Sequence, residues 1–275
     1  MNQEALPLLQ IKGLVKTYGK APALNGVSLS VGKGDAVVIL GPSGCGKSTL
    51  LRCINGLERI QSGEIILNGE NISNPGARWD LVRQRVGMVF QSYDLFPHMS
   101  VLDNVLLGPL KVQKRDKAEA RRQAEGLLAR VGLLDRKKDY PRQLSGGQKQ
   151  RVAIVRALCM NPDLMLFDEV TAALDPEMVR EVLDVIAGLA EQGMTMLIVT
   201  HEMDFAKAIA DKAVFIVDGA VEEESDGEVF FRNPRTERAR RFLNSFQYES
   251  RRPRRKTGAA PSGLTPVPVT RATMG

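Results

Sequence analysis

The stretch Gly41-Pro42-Ser43-Gly44-Cys45-Gly46-Lys47-Ser48 constrains this chain more than any other. It fits G-x-x-x-x-G-K-[ST], the phosphate-binding loop, and its surroundings suit that reading. Before it runs Ala36-Val37-Val38-Ile39-Leu40, a short continuous apolar segment of the kind found in buried parallel strands. After it, Ser48 to Asn55 carries Leu50, Leu51 and Ile54 at helical spacing, with Thr49 beside the loop. Glycines let the backbone curl until successive N–H groups face phosphate oxygens, and the following helix N-terminus adds partial positive charge. Lys47 is placed to neutralise β- and γ-phosphates, and the Ser48 hydroxyl to bind Mg²⁺. The pattern points to a nucleoside triphosphate as ligand.

Composition narrows the setting. The 275 residues suffice for one large domain or two smaller ones, and 43% hydrophobic with 25% charged residues is ordinary for a globular chain. Three cysteines (Cys45, Cys53 and Cys159) make no even, spaced framework, which points to a reducing compartment. Met1 to Leu14 shows no charged segment followed by an apolar one, so no signal peptide is expected. No apolar run approaches the ~18 residues of a membrane span. The net charge of +6 is concentrated in the tail: Arg251, Arg252, Arg254, Arg255, Lys256 and Arg271 outweigh Glu249 and leave the body nearly neutral. A neutral body with a basic tail is a poor nucleic-acid signature, so no nucleic-acid partner is expected. The tail instead reads as a solvated segment able to brush an anionic membrane surface.

In chain order, Leu9-Gln10-Ile11, Leu14-Val15, Val27 to Val31 and Gly63 to Leu67 read as strands, the last ending in the Asn68-Gly69 turn. They suggest a small antiparallel sheet wrapping the start of the phosphate-loop domain. Val86 to Phe90 is again a strand, ending at Gln91. Residues 92–160, with Pro97, Pro109, Pro141 and a helical pattern from Asp116 to Val131, read as an all-helical insertion. Leu164 to Phe167 returns to the core as a strand, Pro176 to Leu189 is a helix, and Met194 to Val199 a strand. Short strands at Ala213 to Val217 and Ala220 to Glu222 follow. From Ser250 onward apolar periodicity ends and disorder is expected.

The apolar strand before Asp168-Glu169 suits a Walker B motif, with Asp168 in the Mg²⁺ shell and Glu169 polarising the attacking water. Leu144-Ser145-Gly146-Gly147-Gln148 opens a second helix, expected over Gln148–Met160, with an anion-ready N-terminus. A serine serving only as a helix cap would need no Gly-Gly-Gln behind it. Here the chain resembles the ATP-binding-cassette (ABC) ATPases, whose signature is LSGGQ, over about residues 8 to 245. The resemblance implies an α/β fold: a P-loop RecA-like ABC ATPase core with an antiparallel β subdomain and a helical subdomain insertion. It places the ATPase domain at 8–247, its helical part at about 92–160, and a basic tail at 248–275.

The same resemblance implies roles. Tyr18 matches the aromatic that stacks on adenine, and Gln91 the Q-loop glutamine that contacts Mg²⁺ and water and senses the membrane partner. Ser145, Gly146 and Gly147 match the signature that closes on the γ-phosphate of the opposite subunit. Asp175 matches the D-loop, and His201 the switch histidine on the γ-phosphate. His98, the other histidine, reads as structural or partner-facing. In this family, phosphate loop and signature of one chain lie too far apart to serve one ATP. Two chains therefore pair head-to-tail, and a chain without a membrane span passes its motion to a separate permease near Gln91 and Phe96. The resemblance places such a subunit on the cytoplasmic face of the membrane, with ATP and Mg²⁺ as cofactors and an extracytoplasmic solute-binding protein as an indirect partner.

Some segments are similar to a narrower group. Val89 to Met99, Thr200 to Ala206 and Phe230 to Leu243 resemble polar-amino-acid uptake ATPases. Val170, where most cassettes have proline, resembles a branch handling ectoine-type or other amino-acid-like solutes; Ala172 and Lys149 are lesser departures. A lipoprotein-release or efflux ATPase is the alternative, and the Asn233–Leu243 segment argues against it. A chromosome-maintenance ATPase would separate loop and signature by a long coiled coil, whereas about 100 residues do so here. A translation-factor ATPase would carry two cassettes. For Cys45 two readings stay open: a thiolate favoured by Lys47 and the helix N-terminus, or a small packed residue.

Overall fold

The computed structural model describes residues 6–246, so the basic tail 248–275 and its expected disorder lie outside the described residues. Two sheets organise the rest. The first is antiparallel and holds β1 (Leu9–Tyr18), β2 (Ala21–Val31), β4 (Ser62–Leu67) and β5 (Glu70–Asn71) in the order β2-β1-β4-β5. The segments expected around Gly13 are one strand: a register shift between Ile11 and Leu14 absorbs the interruption, and Gly13 takes φ 56° there. Asn68 and Gly69 both have positive φ, which joins β4 to β5 by the two-residue hairpin their sequence demands.

The second sheet holds β3 (Ala36–Leu40), β6 (Val86–Val89), β7 (Leu164–Asp168), β8 (Met196–Val199), β9 (Lys212–Val217) and β10 (Ala220–Asp226). Its order is β10-β9-β3-β8-β7-β6, parallel throughout except for the β9–β10 hairpin. Every residue of β3, β7 and β8 is buried, as continuous apolar runs in a sheet covered on both faces must be. The C-terminal ends of β3, β7 and β8 lie side by side, because Ile39 pairs with Val199 and Asp168 pairs with Val199. The phosphate-loop stretch, Asp168-Glu169 and His201 all follow those ends, where open α/β sheets place their ligands.

α1 (Lys47–Ile54) follows the phosphate-loop stretch, and the short α2 (Trp79–Arg85) was not anticipated. Between β6 and β7 the described chain forms α3 (Val101–Lys111), α4 (Lys117–Arg130), two 3₁₀ turns and α5 (Gly146–Leu158), with no strand. These helices have a core of their own, built from Val101, Val105, Ala124, Leu128, Val152 and Val155. α6 (Pro176–Glu191) and α7 (Met203–Ile209) complete the main body. α8 (Gly227–Arg232) and α9 (Glu237–Asn244) close the β9–β10 edge, where Phe242 packs 5.2 Å from Phe215. α5 begins two residues earlier than the sequence suggested, because Ser145 rather than Gly147 is its cap.

Candidate active site

The loop after β3 curls as its glycines allow. Gly46 has φ 104°, and a Cβ there would lie 2.4 Å from the Ala23 carbonyl oxygen; one on Gly41 would meet the Ile216 carbonyl oxygen. The loop is thus pressed between β2 and the end of β9, leaving Pro42, Ser43 and Gly44 exposed. Gly46 caps α1 without any side-chain hydrogen bond, so the first amides of that helix have no side-chain acceptor. Lys47 is buried, and its Nζ donates to the Gly41 and Pro42 carbonyl oxygens, both at 2.9 Å. Thr49 is half-buried on α1.

Two contacts across the sheet ends assemble the acidic part. Ser48 Oγ donates to Asp168 Oδ1 at 2.6 Å, joining residues 120 positions apart. Glu169 Oε1 lies 3.1 Å from His201 Nε2. Asp168 is buried, and burial pushes its carboxyl above the usual range, against the Ser48 hydrogen bond, which pulls the other way. Glu169 has φ 48°, a left-handed backbone uncommon for a non-glycine residue, and its amide donates to the Val199 carbonyl. This conformation turns the carboxylate out of the strand line and toward the opening, where it is only partly exposed.

Ser48, Asp168 and Glu169 form one side of a cleft of about 730 Å³. Gln91 and Tyr93 line it as well, and Arg142 and Lys149 reach it from the helical region. Lys47, His201, Ser145, Gly146, Gly147 and Asp175 are not among its lining residues, whereas Lys149, directly after the signature segment, is. Tyr18 stands exposed at the end of β1 with the Lys16 ammonium 4.8 Å from its ring centre, and Lys16 pairs with Glu58 at 2.7 Å. Asp175 caps α6 and is exposed, without a side-chain cap bond. Leu144 is buried in the helical core.

One expectation needs correction. The Gly-Gly-Gln behind Ser145 does serve the cap: Ser145 Oγ accepts from the Gln148 amide at 3.3 Å, and Gln148 Oε1 accepts from the Ser145 amide at 3.0 Å. This is a reciprocal capping box, and the glycines are required by packing, since a Cβ on Gly147 would sit 2.9 Å from Met178 Cβ. Cys45 had two readings open. Its thiol is buried against the loop, and burial pushes its pKa up despite the counter-pull of Lys47 and nearby amides. Burial favours the packed reading of Cys45 over the thiolate.

Sequence reasoning missed Gln150 and Arg156 on α5, which hold the backbone on either side of Gln91. Gln150 carried a signal: it occupies the same helical face as the buried Ala153 and Ile154, a polar residue on an apolar stripe.

With this geometry in place, comparison with known proteins is decisive. Residues 24–172 match the ABC transporter family. This chain belongs to that family. The glutamate transport ATP-binding protein GluA of Corynebacterium efficiens is 55% identical over 236 residues, 86% of this chain and 98% of that protein. The glutamate/aspartate import ATP-binding protein GltL of Escherichia coli is 51% identical over the same span and shares. Among solved structures, the ADP- and phosphate-bound dimer of the cassette MJ0796 matches with TM-score 0.71 and 33% identity, covering 80% of this chain and 99% of that one. The cassette cbiO1 of Clostridium perfringens gives 0.74 and 31%, covering 83% and 92%. The fold is the RecA-like ABC cassette, and the chain is an ABC ATPase subunit of the polar-amino-acid uptake type that hydrolyses ATP to power transport. Cassettes of this family dimerise and pair with membrane permease subunits. Among the described residues no helix is long and apolar enough to cross a membrane.

Proposed function

We propose that this chain drives import of a polar amino acid or related solute as a head-to-tail homodimer on the cytoplasmic face of the membrane. The domain spans 8–247, with about 92–160 as its helical part. The observation that carries the reading is the pairing of Ser48 with Asp168 beside Glu169 and His201, in a chain alignable along nearly the whole length of amino-acid import subunits. The loop Gly41-Pro42-Ser43-Gly44-Cys45-Gly46-Lys47-Ser48 holds the phosphates through backbone amides, which is why buried Cys45 is tolerated there. Lys47 Nζ exchanges its two carbonyl partners for β- and γ-phosphate oxygens.

The oxygen-only pair Ser48 and Asp168, with Gln91 on the same cleft, fits Mg²⁺, which takes one or two protein oxygens plus phosphates and water. A buried carboxylate whose ionised form is disfavoured is one that a cation would relieve. Held by Ser48 and Asp168, Mg²⁺ would supply charge neutralisation to the nucleotide's phosphates. Glu169 accepts the proton of the water whose oxygen attacks the γ-phosphorus, and the bond to the bridging oxygen breaks to give ADP and phosphate. His201 orients Glu169 and reaches the γ-phosphate. Tyr18 stacks on adenine with its ring steadied by Lys16.

Ser145, with Gly146 and Gly147 and braced by Gln148, closes on the partner chain's γ-phosphate, and Asp175 lies along the dimer seam. The permease docks at the loop holding Gln91 and the exposed Phe96, and the solute-binding protein acts through the permease. Nucleic acid has no place in the mechanism. Reconstitution with its permease subunits tests the reading: glutamate, glutamine and arginine uptake into vesicles is expected to require ATP and Lys47. Outward transport, or uptake indifferent to Lys47→Ala, would overturn it. Glu169→Gln is expected to keep MgATP binding and lower turnover at least a hundredfold, about 2.7 kcal/mol of barrier. Near-normal hydrolysis by that variant would remove Glu169 from its role.

A further inference from the structure

A groove separate from the cleft of Ser48 and Asp168 runs between α4 and α6, with α5 as its floor. It holds two adjoining hollows of about 420 and 380 Å³, which share Leu127, Arg130, Leu158, Leu189 and Gln192. α5 belongs to both neighbouring cores, through Ala153, Ile154 and Leu158 on the sheet side and Val152 and Val155 on the helical side. Leu127 of α4 and Val185 of α6 likewise pack against both. The groove is therefore a seam between two cores, where close packing is the rule. Two glycines keep it open. Gly126 lies inside α4 and Gly188 inside α6, and a Cβ on either would meet nothing within 4 Å. Neither takes the left-handed backbone. Glycine weakens a helix interior, and here neither packing nor backbone geometry requires it.

The walls carry opposite charges. Arg151 pairs with Glu181 at 2.8 Å and donates to the Val131 carbonyl at 2.7 Å, which ties α5 to α6 at one end of the groove. Arg130 and Asp184 line the same 420 Å³ hollow, and both are exposed. Among the described residues neither is in an ion pair, and Arg130 Nη1 reaches only the neutral Gln192 Oε1, at 3.4 Å. A guanidinium suits a carboxylate, and a carboxylate suits an ammonium. Leu127, Leu158, Val185 and Leu189 supply an apolar bed in the same hollow. We propose that it binds a free α-amino acid with an apolar side chain: the carboxylate on Arg130, the ammonium toward Asp184, and the side chain on the bed beside Gly188. The hollow is at the small end of ligand sites, which suits one amino acid better than a nucleotide. A fatty acid or a plain amine is disfavoured, because each would leave one wall charge over apolar surface without a partner. The site stands apart from the ATP cleft and does not depend on the roles assigned there. A ligand touching α4 and α6 at once fills the seam and stabilises the folded chain.

Titration calorimetry and melting curves of the full-length chain test this. Leucine and phenylalanine are expected to bind with Kd on the order of 1 mM, and at about ten times that concentration to raise Tm by about 3–5 °C. Isocaproate and isopentylamine keep leucine's branched chain but lack one of its charges, and each is expected to bind about tenfold more weakly or worse. Arg130→Met and Asp184→Asn are expected to weaken leucine to the same degree. Gly188→Leu puts a better helix former into the hollow, so it should keep or raise Tm without ligand, leave ATP hydrolysis unchanged and abolish leucine binding. Lost binding in that variant cannot then be a folding defect, and Gly188→Ala serves in its place if the larger side chain does not fit. Wild-type affinity in the filled variant would put the ligand elsewhere and overturn the site. Isocaproate or glutamate binding as tightly as leucine overturns the ligand class, and no heat or Tm shift with either apolar amino acid overturns the proposal as a whole.

Discussion

At the scale of single residues, burial outweighs neighbouring charge twice in this site. Asp168 sits beside Ser48 and within reach of the field of Lys47, yet desolvation is the larger effect and raises its pKa. A raised carboxyl pKa means the ionised form costs stability in the folded chain, and that cost grows as pH rises through the folded pKa. Asp168→Asn is therefore expected to raise Tm of the nucleotide-free protein at neutral pH while abolishing the extra stabilisation given by MgATP over ATP with chelator. A lower Tm without nucleotide would show that the Ser48 bond outweighs desolvation. The thiols follow the same rule: burial raises Cys45 and pushes Cys53 to about 12 and Cys159 to about 11. All three are buried, so thiol titration of the native protein at pH 8 is expected to find none of them, and all three after unfolding. Rapid native labelling at Cys45 would decide for the reactive thiolate over the packed residue.

At the scale of elements, the contrast between α1 and α5 explains why similar glycine-rich openings have different chemistry. α1 starts uncapped on a glycine, so its amides await an acceptor, whereas α5 starts with a complete capping box. This separates two roles of Ser145, because Asp is as good an N-cap as Ser but repels a phosphate. Ser145→Asp is expected to keep Tm near wild type, within about 0.5 kcal/mol, and to abolish ATP-driven dimerisation and hydrolysis. Ser145→Ala should instead lose about 1 kcal/mol of stability. A Ser145→Asp protein with full activity would mean that no phosphate approaches this helix end.

Elements also show what a sequence discloses. The phosphate loop, the Asn68-Gly69 hairpin and the β3, β7 and β8 strands were legible because each is specified by residues adjacent in the chain. The seven-residue α2 escaped notice: Arg78 makes no side-chain cap bond, and Val82 is its one buried residue. The Ser48–Asp168 bond and the hydrogen bonds of Gln150 and Arg156 to the Phe90 and Asp94 carbonyls could not be read from spacing, since each joins residues 60 or more positions apart. The family resemblance supplied roles for Gln91, His201 and Ser145, but only the fold shows which backbone atoms hold them in place.

At the scale of the whole molecule, the C-terminal helices belong to the body up to Phe246. Buried Glu223 on β10 accepts from the Arg235 and Thr236 amides at 2.9 Å each, which fastens the start of α9. Phe242 then packs against Phe215, with Phe246 edge-on at 5.1 Å. The neighbouring β9–β10 turn leans on the nucleotide side, where the Gly219 carbonyl accepts from the Asn25 amide at 2.7 Å and Asp218 pairs with Arg238 of α9 at 3.1 Å. Residues beyond this lack apolar periodicity, and the import subunits similar to this chain align over 98% of their length while leaving 14% of this chain without a counterpart. Removing residues 248–275 is therefore expected to leave Tm, ATPase activity and uptake unchanged. Ending the chain after Asn233 should do the opposite. It strips Glu223 of two amide donors, which costs about 1–3 kcal/mol for a buried acceptor, and uncovers the Phe215 ring beside the phosphate loop. Melting curves and vesicle uptake for the two truncations decide it. Loss of uptake by the shorter deletion at normal Tm and ATPase rate would show that the six basic residues of the tail dock on the membrane or the permease.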